Sequence, residues 1–215
     1  MLLKGYPSII YIPRKHRIMD HLFKSRFIIG AFLLLPLVFI ALELVLNPLA
    51  NPVKELLIDT GEAASRILIF SLWLTPLQKF FPHWKFLSLL QRHKRLIGLS
   101  VFGYVLLHFS LYLIERAGLT EMIGDLRRIF ILCGMGGFVI LLLMAVTSSN
   151  RMVRRLGAKK WKRLHQGVYA VAILVLAHML LKEKTDPVEA WLLFLPLGVV
   201  ETVRMLRWFF RDNAK

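Results

Sequence analysis

Three histidines stand inside apolar stretches of this chain. His165 and His178 lie at the two ends of the run from Leu164 to Leu181, and His108 lies within the run from Leu96 to Ile114. Imidazoles are uncommon in a bilayer, and an intramembrane polar group is a functional candidate by default. A neutral imidazole offers one ring nitrogen as a strong iron ligand while the other carries a hydrogen. The residue types therefore open three chemistries: axial ligation of a haem iron, a proton relay, or a hydrogen-bonded pair that only holds helices together. Among these residues the relay is the weakest, because no Asp or Glu flanks the histidines at mid-depth.

The elements that position these residues follow from composition. The chain has 215 residues, 57% of them hydrophobic, and its mean hydropathy is +0.60. That is far above a soluble domain, and the apolar runs approach the ~20 residues needed to cross a bilayer. The expected fold class is all-α, a polytopic membrane bundle of six helices at 27–46, 60–77, 96–114, 129–146, 164–181 and 188–205. Residues 1–26 form a basic arm without the pattern of a secretory signal, and 27–210 form one domain. Pro36 is expected to kink the first span. The cluster Asn47 to Pro52 ends it, Thr60 caps the second with Glu62 in its first turn, and Thr75-Pro76 closes that second span. Arg66, near the outer end, is expected to snorkel. Gly134, Gly136 and Gly137 follow no strand, so they signal close helix packing rather than a nucleotide loop.

The formal charge of +16 is explained by membrane topology, not by nucleic acid. The arm, the loops at 78–95 and 148–164 and the tail from Arg204 hold 22 lysines and arginines, against 6 in the three other loops. By the positive-inside rule both termini are cytoplasmic. The partner implied by composition alone is membrane lipid. The lone Cys133 forms no internal disulfide, and no Cys-x-x-Cys-His is present to attach haem covalently.

Depth then pairs the histidines. His108 lies 12 residues beyond Leu96 and His178 lies 14 beyond Leu164, on two helices that both run outward. At ~1.5 Å per residue they reach similar depth near the outer face, where they could clasp one haem iron. His165 precedes His178 by 13 residues, roughly 20 Å lower, at the inner interface. It could serve a second iron, with a tilt or kink needed to bring it to the same face as His178. His93 lies at matching depth and could be a second inner ligand, but in a basic loop solvation is its expected state, as it is for His16, His21 and His83 in loops or the arm.

These residues carry a resemblance. Leu156-Gly-Ala-Lys-Lys-Trp161-Lys-Arg-Leu-His165-x3-Tyr169, followed by His178, resembles the signature of the ferric-reductase-like transmembrane superfamily, and more narrowly the haem-binding membrane subunits of bacterial methionine sulfoxide reductase systems. Asn51-Pro-Val-Lys54, Thr60-Gly-Glu-Ala-Ala64, Leu74-Thr-Pro-Leu77 and Arg95-Leu-Ile-Gly-Leu99 leading to His108 match in order and spacing over roughly 47–210. The resemblance implies a b-type cytochrome of the bacterial inner membrane with one haem b or two, and His108, His165 and His178 at its ligand positions. It implies electrons drawn from the quinone pool or a cytoplasmic flavin reductase, and delivery to a periplasmic molybdopterin enzyme, MsrP, that repairs oxidised proteins. FMN is also implied. Arg95, Trp161 and Arg163 are the candidate partners for a haem propionate or a flavin phosphate. Two-haem relatives carry two histidines on each of two helices, whereas here Arg95 stands thirteen residues before His108. No Gly-rich nucleotide domain is evident, so a donor partner is required. The rivals are a stand-alone ferric or cupric reductase and a small proton-coupled transporter with histidine relays.

Overall fold

A computed structural model describes residues 26–47, 50–182 and 187–212, so most of the basic arm and the last three residues lie outside the description. Among the described residues every regular element is a helix. We label them α1 (Arg26–Leu46), α2 (Pro52–Phe80), α3 (Lys85–Arg92), α4 (Lys94–Glu115), α5 (Leu119–Asp125), α6 (Ile129–Val146), α7 (Asn150–Leu156), α8 (Ala158–His165), α9 (Val168–Leu181) and α10 (Pro187–Asp212).

Among the described residues four segments are long and apolar enough to cross a membrane: Arg26–Leu46, Lys94–Glu115, Ile129–Val146 and Ala158–Leu181. Large side chains such as Phe27, Phe32, Phe39 and Val45 stand exposed along α1, as expected where lipid rather than water is the solvent. The chain is thus a multi-pass membrane protein.

Two hairpins make the core. α2 packs along α4, and α6 along α9, in the most extensive contacts of the fold; α4 touches α6 and joins the two pairs. α1 leans on α2 and α4, and α10 on α2 and α9. The centre is filled by Leu74, Ile97, Val101 and Val171, all almost fully enclosed. End-to-end bonds set the antiparallel order. Asn51 Nδ2 donates to Glu115 Oε1 at 3.2 Å at one end, and Arg95 bonds Asn150 at the other.

Local chemistry corrects two boundaries. The second helix starts at Pro52, not Thr60. Asn51 caps it, its side chain accepting from the Lys54 N–H at 3.1 Å, with Pro52 and Glu55 in the first turn. Thr60 is a buried interior residue whose hydroxyl donates to the Leu56 carbonyl at 2.7 Å, the alternative a Ser or Thr takes within a helix. The same helix does not stop at Thr75-Pro76 but runs through Pro76 to Phe80. The following segment braces this end. Gln91 Nε2 donates to the Leu74 carbonyl at 2.7 Å, Lys94 Nζ to Thr75 Oγ1 at 2.6 Å, and Gln78 Nε2 to Ser88 Oγ at 3.1 Å.

Pro36 likewise sits inside α1. It leaves the Phe32 carbonyl without its usual donor, and one residue along the Tyr104 hydroxyl donates to the Leu33 carbonyl at 2.7 Å. α1 ends at Leu46, as the Asn-Pro cluster requires. The stretches read as loops hold short helices: α3, α5, α7 and α8. Ser149 caps α7 by accepting from Met152 N–H at 3.2 Å, and Gly157, at φ 79°, turns the chain from α7 into α8.

The expected fifth span, 164–181, holds only the last two residues of α8 and all of α9, joined through Gln166 and Gly167. A Cβ at Gly167 would lie 2.9 Å from the Leu164 carbonyl and 3.2 Å from Ile140 Cγ2. The break therefore depends on a glycine at a point of close backbone approach.

Candidate metal centre between the hairpins

Each hairpin contributes one imidazole to the space between them. His108 comes from α4 and His178 from α9, and their ring centroids are 6.4 Å apart with planes crossed at 86°. The two sit at common depth, as the helix rise required. Between them lies a cavity lined by Val101, Val105, Phe109, Phe138, Leu141 and Val175, with Tyr112, Lys182, Glu62 and Glu189 as its polar lining.

Both rings are held the same way. His108 Nδ1 lies 2.8 Å from the Leu57 carbonyl, and His178 Nδ1 lies 2.7 Å from the Phe130 carbonyl. A carbonyl can only accept, so in each ring Nδ1 carries the hydrogen and donates it. Nε2 is left as the nitrogen with a free lone pair. This is the arrangement that metal-bound histidines adopt, with the non-ligating nitrogen bonded to a backbone carbonyl or carboxylate that fixes the tautomer.

The spacing fits a single ion held from both sides. An imidazole nitrogen binds a first-row metal at about 2.0–2.1 Å, and the ring centroid lies about 1.1 Å further, so two opposed imidazoles have centroids about 6.3 Å apart. The observed 6.4 Å matches. Among the described residues no group of three or more His, Cys, Asp or Glu converges as a metal site, so a metal here would need equatorial ligands from elsewhere. A porphyrin supplies them, and the apolar walls suit its faces.

His165 is placed apart from this pair. It closes α8, stacks on Trp161 with centroids 3.9 Å apart, and donates from Nδ1 to the Trp161 carbonyl at 3.1 Å. Its Nε2 lies 3.5 Å from Ser148 Oγ. Trp161 is itself committed, its indole N–H donating to the Thr147 carbonyl at 3.0 Å. Arg95 is exposed and bonded to Asn150. Arg163 is exposed on the basic face of α8. The structure therefore gathers Arg95, Trp161 and His165 at one end and leaves Arg163 facing outward.

Polar groups close the other end. Arg66 pairs with Glu62 at 2.8 Å and Glu189 at 2.7 Å, tying α2 to α10. Asp125, almost enclosed, accepts from Tyr112 Oη at 2.8 Å and from Arg116 Nε at 2.6 Å, with Arg128 Nε at 3.6 Å. The Tyr112 hydroxyl first, then the Arg116 guanidinium, hold the Asp125 carboxyl below the ordinary carboxylate range.

Sequence reasoning missed Gly61 and the carbonyls of Leu57 and Phe130, and gave Gly134 a role in helix packing without linking it to His178. A Cβ on Gly61 would lie 2.8 Å from the His108 ring, and one on Gly134 would lie 2.9 Å from the His178 ring. The packing role expected of the α6 glycines holds for Gly134 and for Gly136, where a Cβ would meet Leu174 at 3.4 Å; at Gly137 it would meet nothing within 4 Å.

Comparison with known proteins agrees with this geometry. The family model described as ferric reductase like transmembrane component matches residues 60–176, a stretch that contains His108 and His165 and ends two residues before His178. A protein-methionine-sulfoxide reductase heme-binding subunit MsrQ from Herminiimonas arsenicoxydans is 34% identical over 199 residues, covering 90% of this chain and 88% of the relative. Another from Agrobacterium fabrum is 36% identical over 160 residues, covering 73% and 72%. The magnetosome protein MamZ of Paramagnetospirillum magneticum is 33% identical over 151 residues, which are 69% of this chain but 23% of that protein. No solved structure matches. The chain belongs to the ferric-reductase-like transmembrane family, in its MsrQ group.

Proposed function

We propose that this chain is the b-type haem-binding electron-transfer subunit of a methionine sulfoxide reductase system. It spans the bacterial inner membrane with six helices, at the five regions of α1, α2, α4, α6 and α8–α9 and at α10, with both termini in the cytoplasm. The observation that carries the reading is the His108–His178 pair, 6.4 Å apart across an apolar cavity with both Nδ1 atoms bonded to carbonyls. The names of the MsrQ relatives support it.

In this reading His108 and His178 hold the haem by Nε2, one from each hairpin. The haem supplies a one-electron ferric/ferrous couple. The carbonyls of Leu57 and Phe130 draw on the Nδ1 hydrogens, which makes each imidazole a stronger donor to iron and favours the ferric state. Phe109, Phe138, Val101 and Leu141 exclude water from the cavity. Tyr112 and Lys182, which line the cavity, are the side chains that would bond the carboxylates of a bound haem.

Electrons enter at the cytoplasmic end from the quinone pool or a flavin reductase and leave at the periplasmic end to MsrP, a molybdopterin enzyme acting on oxidised methionine. His165, at the cytoplasmic end beside Arg95, is the candidate for an inner ligand. FMN, if resident, has its phosphate partners on the basic faces of α7 and α8, with Arg163 ahead of the already committed Trp161. The test is reconstitution. The reduced chain in liposomes is mixed with MsrP and methionine sulfoxide, and haem absorption is followed. Re-oxidation that requires both additions supports the assignment; re-oxidation indifferent to MsrP sinks the partner.

A further inference from the structure

The two ligands are seated on the same device, used twice. In α2, the carbonyl of Leu57 meets His108 Nδ1 and the residue four places later is Gly61; in α6, the carbonyl of Phe130 meets His178 Nδ1 and the residue four places later is Gly134. In each case an added Cβ would strike the same edge of the ring. At Gly61 it would sit 2.8 Å from both Nδ1 and Cε1 of His108, and at Gly134 it would sit 2.9 Å from Nδ1 and 3.1 Å from Cε1 of His178. Four residues is about one helical turn, so carbonyl and glycine lie on one face. The backbone there presents an acceptor beside a flat, side-chain-free step the width of an imidazole. Glycine is costly inside a helix, and at these two positions the missing Cβ is occupied by a histidine from the partner helix.

We infer that Gly61 and Gly134 are positioning residues for the metal ligands: each admits an imidazole edge-on to its helix so that Nδ1 donates to the carbonyl one turn back and Nε2 faces the cavity. The inference rests on the proposal that these imidazoles hold haem. It adds that the redox potential and ligand geometry are set by backbone of α2 and α6, elements that contribute no ligand themselves. An alanine at either position pushes its ring away, lengthens the Nδ1–H···O=C bond and weakens the imidazole as a donor. The ferric state then loses more than the ferrous state, and the potential rises.

The experiment compares Gly61→Ala and Gly134→Ala, made separately, with Gly98→Ala and Gly103→Ala, where a Cβ meets nothing within 4 Å and which do not line the cavity. Midpoint potential by spectroelectrochemical titration and the low-spin ferric electron paramagnetic resonance signal are read on monodisperse protein. The cradle variants are expected to shift the ferric/ferrous ratio at fixed potential about tenfold, equal to about 59 mV for a one-electron couple, and to alter the low-spin signal. The control glycines are expected to do neither. Where a cradle variant accumulates poorly, Gly61→Ala with His108→Ala, or Gly134→Ala with His178→Ala, removes the struck ring and is expected to restore accumulation. Wild-type potential and signal in both cradle variants, or no recovery in the doubles, overturns the inference while leaving the haem reading standing. Wild-type protein that binds no haem overturns the haem reading itself.

Discussion

His108 and His178 face one another across the hairpin interface at 6.4 Å, with their planes crossed at 86°, and neither ring touches the other's helix for its hydrogen bond. Each is fixed by its own hairpin, His108 by Leu57 and His178 by Phe130. The gap between them is therefore held by backbone on both sides, not by mutual contact.

His108→Ala and His178→Ala should each strip the haem, since an iron that loses one of two axial ligands is held poorly. Removing even a supporting partner of a metal ligand costs about 10–100-fold in affinity, so loss of the ligand should exceed that. Haem content per chain, by pyridine haemochrome absorption, measures it. Full occupancy in both variants would break the pairing.

His165→Ala should leave the His108–His178 haem in place, because His165 is engaged with Trp161 and Ser148 instead. The check is the low-spin spectrum of the variant. Loss of that signal would show the inner histidine to be structurally required for the outer pair.

Two of the expected residues show what was legible in the chain and what was not. The common depth of His108 and His178 was readable because helix rise is linear in residue number. The seat of each ring was not. Leu57 and Gly61 are remote in sequence from His108, and no local pattern reports a contact between helices. Thr60 was misread for a related reason: a threonine before a glutamate signals a helix start only where the preceding residues cannot be helical, and Pro52 behind the Asn51 cap begins the helix earlier. A tilt or kink between His165 and His178 was expected, but its place at Gln166–Gly167 was not, because the close approach of Gly167 to Ile140 is a contact with another helix.

Asp125→Asn should loosen the end of the bundle formed by Tyr112, Arg116 and Arg128. Because the Asp125 carboxyl is held below its ordinary range, its contribution is present above the unfolded-state value of about 3.9 and is lost as pH falls through the lower folded value. Thermal unfolding in detergent should thus show a lowered midpoint for the variant at pH 7. The difference from wild type should shrink only in strong acid. A gap that closes between pH 6 and 8 would contradict the assignment.

Leu74→Ala tests the core, since Leu74 is fully enclosed at 0% exposure. Such truncations cost about 2–5 kcal/mol in water-soluble cores, and about 2 kcal/mol is expected here because lipid, not water, is the alternative surroundings and chiefly the packing term is lost. Glu189→Gln, which removes one partner of the exposed Arg66, should cost less than about 1 kcal/mol. Equal effects of the two changes on thermal stability would contradict this ranking.

The most direct measurement is a reduced-minus-oxidised absorption spectrum of the detergent-purified chain, expressed with ample haem, with extracted haem quantified per chain. The account predicts a low-spin b-type spectrum and at least one haem per chain, lost when His108 or His178 is replaced. A colourless protein would contradict it and leave the histidines without their metal.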